Sequence, residues 1–175
     1  TRLTFEGVNV SPAWTRDGKR VVYASAKNGP QNLFWKPADG SGPEERLLSS
    51  KNLQYPGSFT PDMLTFLYSE LDPKTGRDLW VLPLEGDPST SSGQGRKPRI
   101  FLQTQFNETT ARLSPDGRYV AYVSDASGRN EVYVQPFPGP GGKYQISTEG
   151  GTEMGWGANG EIFYRSGNKM MSVGV

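Results

Sequence analysis

The 175-residue chain contains no cysteine and no histidine. Without cysteine there is no disulfide framework and no thiol nucleophile. Without histidine there is no Ser-His-Asp triad and no imidazole base. Zinc and iron sites built on His or Cys are excluded with them. Charge of one sign is also lacking, since the net charge is +1 with no basic cluster. That sets nucleic-acid binding aside, because such binders carry a basic stripe. No run approaches the ~18 apolar residues of a membrane helix, and the polar start at 1–7 reads as no signal peptide. What remains is carboxylate, Lys, Tyr or Ser/Thr chemistry, or binding alone.

Hydrophobic residues make up 34% of the chain, while Gly 22 and Pro 14 are spread along it. That combination suits many short strands, each with one buried face, joined by tight turns. No segment sustains a helical apolar period between its Gly and Pro breaks, so an all-β fold is expected.

The sequence repeats. Ser114-Pro115-Asp116-Gly117-Arg118-Tyr119-Val120-Ala121-Tyr122 matches Thr15-Arg16-Asp17-Gly18-Lys19-Arg20-Val21-Val22-Tyr23, and it also matches 60–68 and 157–164. The turn residues Asp17, Asp62, Asp116 and Asn159 lie 45, 54 and 43 residues apart, close to the ~40–45-residue blade of repeat propellers. A Ser/Gly/Pro-rich insertion at 87–97, expected to be a flexible surface loop, accounts for the longer period. Each unit parses as four strands. The first ends at Trp14, Phe59, Leu113 or Trp156. The second carries Tyr23, Tyr68, Tyr122 or Tyr164. The third ends at Pro37, Pro83 or Pro136, where pairing must stop. An outer strand follows at 46–48, 99–102 and 144–146. The reading is one domain, a β-propeller of four blades at about 8–50, 51–104, 105–149 and 150–175. Arg2-Leu3-Thr4-Phe5 resembles an outer strand and is expected to complete the last blade, whose third strand is Met170–Val173. The alternative is an arc of a six- to eight-bladed propeller.

The repeats, best seen at 114–122, resemble those of TolB-like propellers. The stretch Glu131-Val132-Tyr133-Val134-Gln135-Pro136-Phe137-Pro138-Gly139 with Gln145-Ile146-Ser147, and the last blade around Phe163–Gly167, are more similar to propellers attached to some bacterial serine/threonine protein kinases and their stand-alone relatives. The resemblance implies a sensor or protein-docking role, often periplasmic or otherwise extracytoplasmic. Thr15-Arg16 and Gly157-Ala158 depart from the usual Ser-Pro, which leaves the turn geometry there open. Similar propellers also cap prolyl-oligopeptidase-like hydrolases, whose catalytic domain this chain lacks.

Candidate recognition residues are the polar groups that differ between blades on the way into each first strand: Asn9 and Ser11, Gln54 and Tyr55, Glu108 and Arg112, Thr152 and Glu153. The repeat scaffold does not require them, so they are free to serve binding at the channel mouth. The expected partner is a protein or peptide, with a homodimer also open. No catalytic residue and no metal ligand stands out. Asp125–Glu131 faintly resembles a calcium loop without its full spacing, and its blade equivalents are ordinary hairpin loops. A carboxylate-based lyase or glycosidase would need two acids in one pocket, with Glu108 and Glu153 as the pair to inspect. The aligned aromatics, Trp14, Phe59, Trp156, Phe34, Trp80 and Tyr133, are expected to pack between blades. Trp35, whose equivalents are Val81 and Val134, is expected to be more exposed.

Overall fold

The computed structural model describes residues 2–84 and 96–175, so most of the insertion at 87–97 lies outside the described residues. Among them there is no helix, and fifteen strands form four antiparallel sheets arranged as the blades of a β-propeller. The first sheet holds β1 (Asn9–Trp14), β2 (Arg20–Ser25), β3 (Asn32–Pro37) and β4 (Glu45–Arg46). The second holds β5 (Gln54–Phe59), β6 (Thr65–Asp72), β7 (Gly76–Pro83) and β8 (Arg99–Leu102). The third holds β9 (Glu108–Leu113), β10 (Tyr119–Ser124), β11 (Glu131–Pro136) and β12 (Tyr144–Gln145). The fourth has three strands, β13 (Thr152–Trp156), β14 (Glu161–Ser166) and β15 (Lys169–Gly174). Within each sheet the strands follow chain order, as a meander requires. The first strands β1, β5, β9 and β13 touch in succession, whereas the closest strand contacts of the outer strands β4, β8 and β12 are with the third strands of their own sheets. The first strands therefore surround the axis.

The β1–β2 turn has the same chemistry in three sheets. The Thr15 hydroxyl donates to Asp17 Oδ1 (2.7 Å), and that carboxylate accepts the Lys19 N–H (3.0 Å). Thr60 with Asp62 and Ser114 with Asp116 repeat the arrangement. The donated hydroxyl, then the backbone N–H, hold all three carboxyls below their usual range. Gly18 and Gly117 supply the positive φ, and Met63 takes the same conformation with φ 62°. The replacement of Ser-Pro by Thr15-Arg16 leaves this turn intact. The fourth turn keeps the backbone bonds of Gly157 and uses Asn159 Oδ1 to accept the Glu161 N–H.

Apolar clusters fill the joints between successive sheets. Val22 and Leu33 of the first sheet pack with Phe59, Phe66, Tyr68 and Leu82 of the second. Leu67, Leu79 and Val81 pack with Leu113, Tyr122 and Tyr133 of the third. Ala121, Val123 and Val132 pack with Met154, Ile162 and Tyr164 of the fourth.

Two expectations are corrected. Residues 2–5 do not complete the fourth sheet. They form no strand and lie on the first sheet, where Leu3 packs with Val21, Tyr23 and Phe34 and the Leu3 carbonyl accepts from Lys36 Nζ (3.0 Å). An apolar face of the first sheet draws Leu3 in more strongly than an open strand edge can. Trp14 is 61% exposed rather than packed between blades, since no sheet packs on its face among the described residues. Trp35 is more exposed than its buried equivalents Val81 and Val134, as expected; it lies against the guanidinium groups of Arg20 (4.1 Å) and Arg96 (5.2 Å), and its Nε1 donates to Glu45 Oε2 (2.8 Å).

Candidate binding channel

Each axial strand carries a β-bulge, at Val10/Ala13, Pro56/Ser58, Thr109/Arg112 and Thr152/Gly155. Ser11, Thr110 and Glu153 occupy one repeat position and all adopt positive φ, at 54°, 52° and 51°. Such a conformation is uncommon for side-chain-bearing residues and is strained. In the second sheet Pro56 stands there, cannot adopt it, and is followed by Gly57. A Cβ on Gly57 would meet the Leu67 carbonyl oxygen at 2.4 Å. The bulges re-aim the axial side chains.

The strand starts lie at one end of the channel and the Asp-Gly turns at the other. Asn9, Ser11, Tyr55, Thr152 and Glu153 reach the surface at the first end, but each makes its contacts inside its own sheet. Asn9 Nδ2 donates to the Glu6 carbonyl (2.9 Å). Tyr55 lies under the Arg77 guanidinium at 4.3 Å. Glu153 accepts from Arg165 (2.6 Å), and Thr152 pairs with the same arginine across the strands.

Gln54 and Glu108 are not at the surface. Both are buried in joints between sheets. Gln54 accepts the Leu33 N–H (3.3 Å) and donates to Glu70 (2.8 Å), so it ties the second sheet to the first. Glu108 Oε1 accepts from Thr104 Oγ (2.6 Å) and from Ser124 Oγ (3.5 Å), while its Oε2 is buried without a partner. Burial raises its pKa to about 7, with the Asp78 and Asp125 charges adding to the rise against the Thr104 and Ser124 hydroxyls. Asp78, fully buried at the start of β7, accepts from Thr75 (2.7 Å) and Gln103 (2.9 Å) and likewise leaves Oδ1 without a partner. Sequence reasoning missed Asp78. The signal was a polar residue opening a core strand, as Asn32 and Glu131 also do. Glu108 and Glu153, the pair considered for glycosidase chemistry, thus differ in setting. One is sealed in a joint and the other is solvated and paired with Arg165.

The loop considered for calcium has its acids committed to protein donors. Asp125 accepts from Asn107 N (2.8 Å) and Nδ2 (2.9 Å). Glu131 accepts from the Ser147 hydroxyl, from Gly150 N (2.9 Å) and from Arg129 Nε (2.7 Å). Burial raises its pKa, but these donors outweigh burial and hold it low.

Arg112 stands apart. Its repeat equivalents Ala13, Ser58 and Gly155 are small. The position lies where the axial strands meet, since Ser58 Oγ accepts the Leu113 N–H (2.8 Å) and the Arg112 carbonyl accepts from Trp156 Nε1 (3.0 Å). Among the described residues no carboxylate lies within ion-pair distance of its guanidinium, which donates to the Ala111 carbonyl (3.0 Å). Burial lowers its pKa. At the turn end Arg16, another residue that sequence reasoning passed over, reaches from the first sheet to the third. It donates to the carbonyls of Pro115 (3.2 Å) and Ser114 (3.5 Å). Its equivalents are Pro61, Pro115 and Ala158, so the departure from proline was the available signal.

No protein-family model matches the sequence, and neither does any curated protein. Solved structures do match. A TolB structure from Agrobacterium tumefaciens superposes with a TM-score of 0.75 at 17% identity, over 92% of this chain and 55% of its own. TolB from Acinetobacter baumannii gives 0.73 at 22% identity, over 95% and 40%. The fold is a TolB-like β-propeller. A prolyl endopeptidase structure gives 0.63 at 21% identity, over 95% of this chain and 27% of its own. The chain therefore spans about half the length, or less, of the TolB structures it matches.

Proposed function

We propose that this TolB-like propeller is a non-catalytic binding module, and that its channel receives a protein or peptide segment presenting a carboxylate. Arg112 carries the reading. Arg112 is partly buried with no counter-charge among the described residues, which disfavours its charged form, and the small equivalents Ala13, Ser58 and Gly155 leave it as the long polar side chain at that level of the channel. A partner carboxylate would accept from the guanidinium in a charge-assisted, bidentate pair. Solvated Ser11 and Glu153 at the mouth would contact the rest of the segment. The TolB-like fold supports a protein-binding role, and the resemblance to TolB-like propellers supports an extracytoplasmic setting. The match to a prolyl endopeptidase favours a second reading, in which the chain is an accessory part of a larger protein such as a prolyl-oligopeptidase-like hydrolase.

Selection of displayed peptides on the chain tests the first reading. Selected peptides should share an Asp, a Glu or a free C-terminal carboxylate. Arg112→Ser, which copies Ser58, should weaken them at least tenfold without lowering the unfolding midpoint. Equal affinity for Arg112→Ser would overturn the assignment.

A further inference from the structure

Two asparagines of the chain are followed by glycine, in Asn28-Gly29 and Asn159-Gly160. Both asparagines are exposed and stand in turns, the first between β2 and β3 and the second between β13 and β14. Glycine leaves its backbone nitrogen unshielded, because no Cβ stands beside it. At each of these glycines an added Cβ would find nothing within 4 Å, so crowding does not separate the two sites. Hydrogen bonding does.

Asn159 is held on both sides. Its Nδ2 donates to Glu161 Oε2 (2.8 Å), its Oδ1 accepts the Glu161 N–H (3.3 Å), and the Gly160 N–H donates to the Gly157 carbonyl (3.1 Å). Asn28 has none of these ties. Among the described residues its side chain makes no hydrogen bond, and neither does the Gly29 N–H. In the matching turn of the third sheet the Gly128 N–H donates to the Asp125 carbonyl (2.9 Å). The Asn28 carboxamide and the nitrogen next to it are therefore available to each other.

We propose that Asn28 is a site of spontaneous deamidation. The Gly29 nitrogen loses its proton to solvent base and attacks the Asn28 side-chain carbonyl carbon. An N–C bond forms, the bond from that carbon to Nδ2 breaks, and Nδ2 leaves as ammonia. Water then opens the resulting succinimide at either of its carbonyls. One opening leaves aspartate. The other carries the main chain through the former side chain, as isoaspartate with its α-carboxylate free.

The turn is placed so that this change is felt. The Ala26 N–H donates to the Val8 carbonyl (3.1 Å), and Lys27 Nζ pairs with Glu6 (3.8 Å) and with Glu44. Gly7 passes so close that a Cβ on it would lie 2.8 Å from the Lys27 Cβ. Isoaspartate at 28 lengthens the backbone beside Lys27 and adds a negative charge to a turn that already holds Glu6 and Glu44. It therefore loosens residues 2–8 from the first sheet.

Incubation of the folded chain at mildly alkaline pH, followed by peptide mapping with mass spectrometry, tests this. Residue 28 should exchange its amide for a hydroxyl at least tenfold faster than residue 159, and faster still as the pH rises. An isoaspartyl carboxyl methyltransferase with S-adenosylmethionine should label the same peptide. Glu161→Ala, which releases the Asn159 side chain, should speed the reaction at 159 and leave that at 28 alone. Asn28→Ser, which copies Ser127, should abolish labelling of this turn at an unchanged unfolding midpoint. Amides of residues 3–8 should exchange hydrogen faster in modified chains than in fresh ones. In urea the two asparagines should react alike. An Asn28 that survives in the folded chain yet reacts in urea overturns the proposal, as does a folded chain in which 159 keeps pace with 28. Modified chains whose amides at 3–8 exchange as slowly as before overturn the loosening.

Discussion

Glu108 occupies in the third sheet the position that Gln54 occupies in the second, and the two differ in what their outer atom finds. Gln54 Nε2 donates to Glu70, whereas Glu108 Oε2 is buried without a partner beside the second buried acid Asp78. A carboxylate has replaced an amide where only an amide, or a protonated acid, is comfortable.

Stability should therefore fall as this group ionises. The groups acting on it are Asp78 from β7, Asp125 after β10, Thr104 and Ser124, with the Tyr122 phenol also coupled to it. Its folded pKa of about 7 lies above the ordinary 4.5. Below the lower value the acid is neutral in both states and has no effect. Between the two values the unfolded chain ionises first and stability declines. Above about 7 the loss is complete, on the order of 3 kcal/mol. Glu108→Gln should be more stable than the parent at pH 8 and similar at pH 4. Parallel stability curves for the two proteins across that range would remove the assignment.

The turn hydroxyls make a second case. Ser114 Oγ donates to Asp116 (2.6 Å) and accepts the Tyr119 N–H (3.0 Å) from a buried position. Ser114→Ala should cost about 1–2 kcal/mol by urea unfolding, and Ser114→Thr, which copies Thr15 and Thr60, should restore most of it.

Gly57→Ala should be worse. The added Cβ overlaps the Leu67 carbonyl, and the Ala111 carbonyl lies 3.1 Å away on the other side. Both obstacles are backbone, so neither can swing aside. The loss should be at least about 2 kcal/mol, with retained circular dichroism at low temperature.

Phe59 and Trp14 share a repeat position but not an environment. Phe59→Ala should cost about 3–5 kcal/mol, because it empties the joint between the first two sheets. Trp14→Ala, in dilute solution, should change stability by less than about 0.5 kcal/mol. Comparable losses at the two sites would mean that the first sheet is covered in solution.

These contrasts also show what a sequence can carry. The Asp-Gly turns, the tyrosine strand and the proline stops are local signals, set by backbone conformation and hydrogen bonding within about ten residues. They located four sheets and nearly every strand. The chemistry of the joints is not local. Gln54 and Glu108 read as polar loop residues because Leu33, which bonds Gln54, and Asp78, which faces Glu108, come from neighbouring sheets and become neighbours only when sheets stack. Leu3 had the pattern of an outer strand, and its destination was decided by the apolar face of Val21, Tyr23 and Phe34, which lies beyond the first strand in the chain. Arg112 was identified as a candidate, yet its lack of a counter-charge emerges only in three dimensions.

Arg16 gives the molecule two unequal rims. Its bonds to Ser114 and Pro115 run as a chord from the first sheet to the third, skipping the second, at the rim where the turns gather. No described hydrogen bond spans those two sheets at the opposite rim, where Ser11 and Glu153 stand. At that opposite rim the described bonds join neighbouring sheets only, as Gln54 N–H to the Gln31 carbonyl (2.8 Å) joins the second to the first. The turn rim thus carries a tie that crosses the propeller beyond the nearest neighbour, and the rim of Ser11 and Glu153 is held by adjacent joints alone.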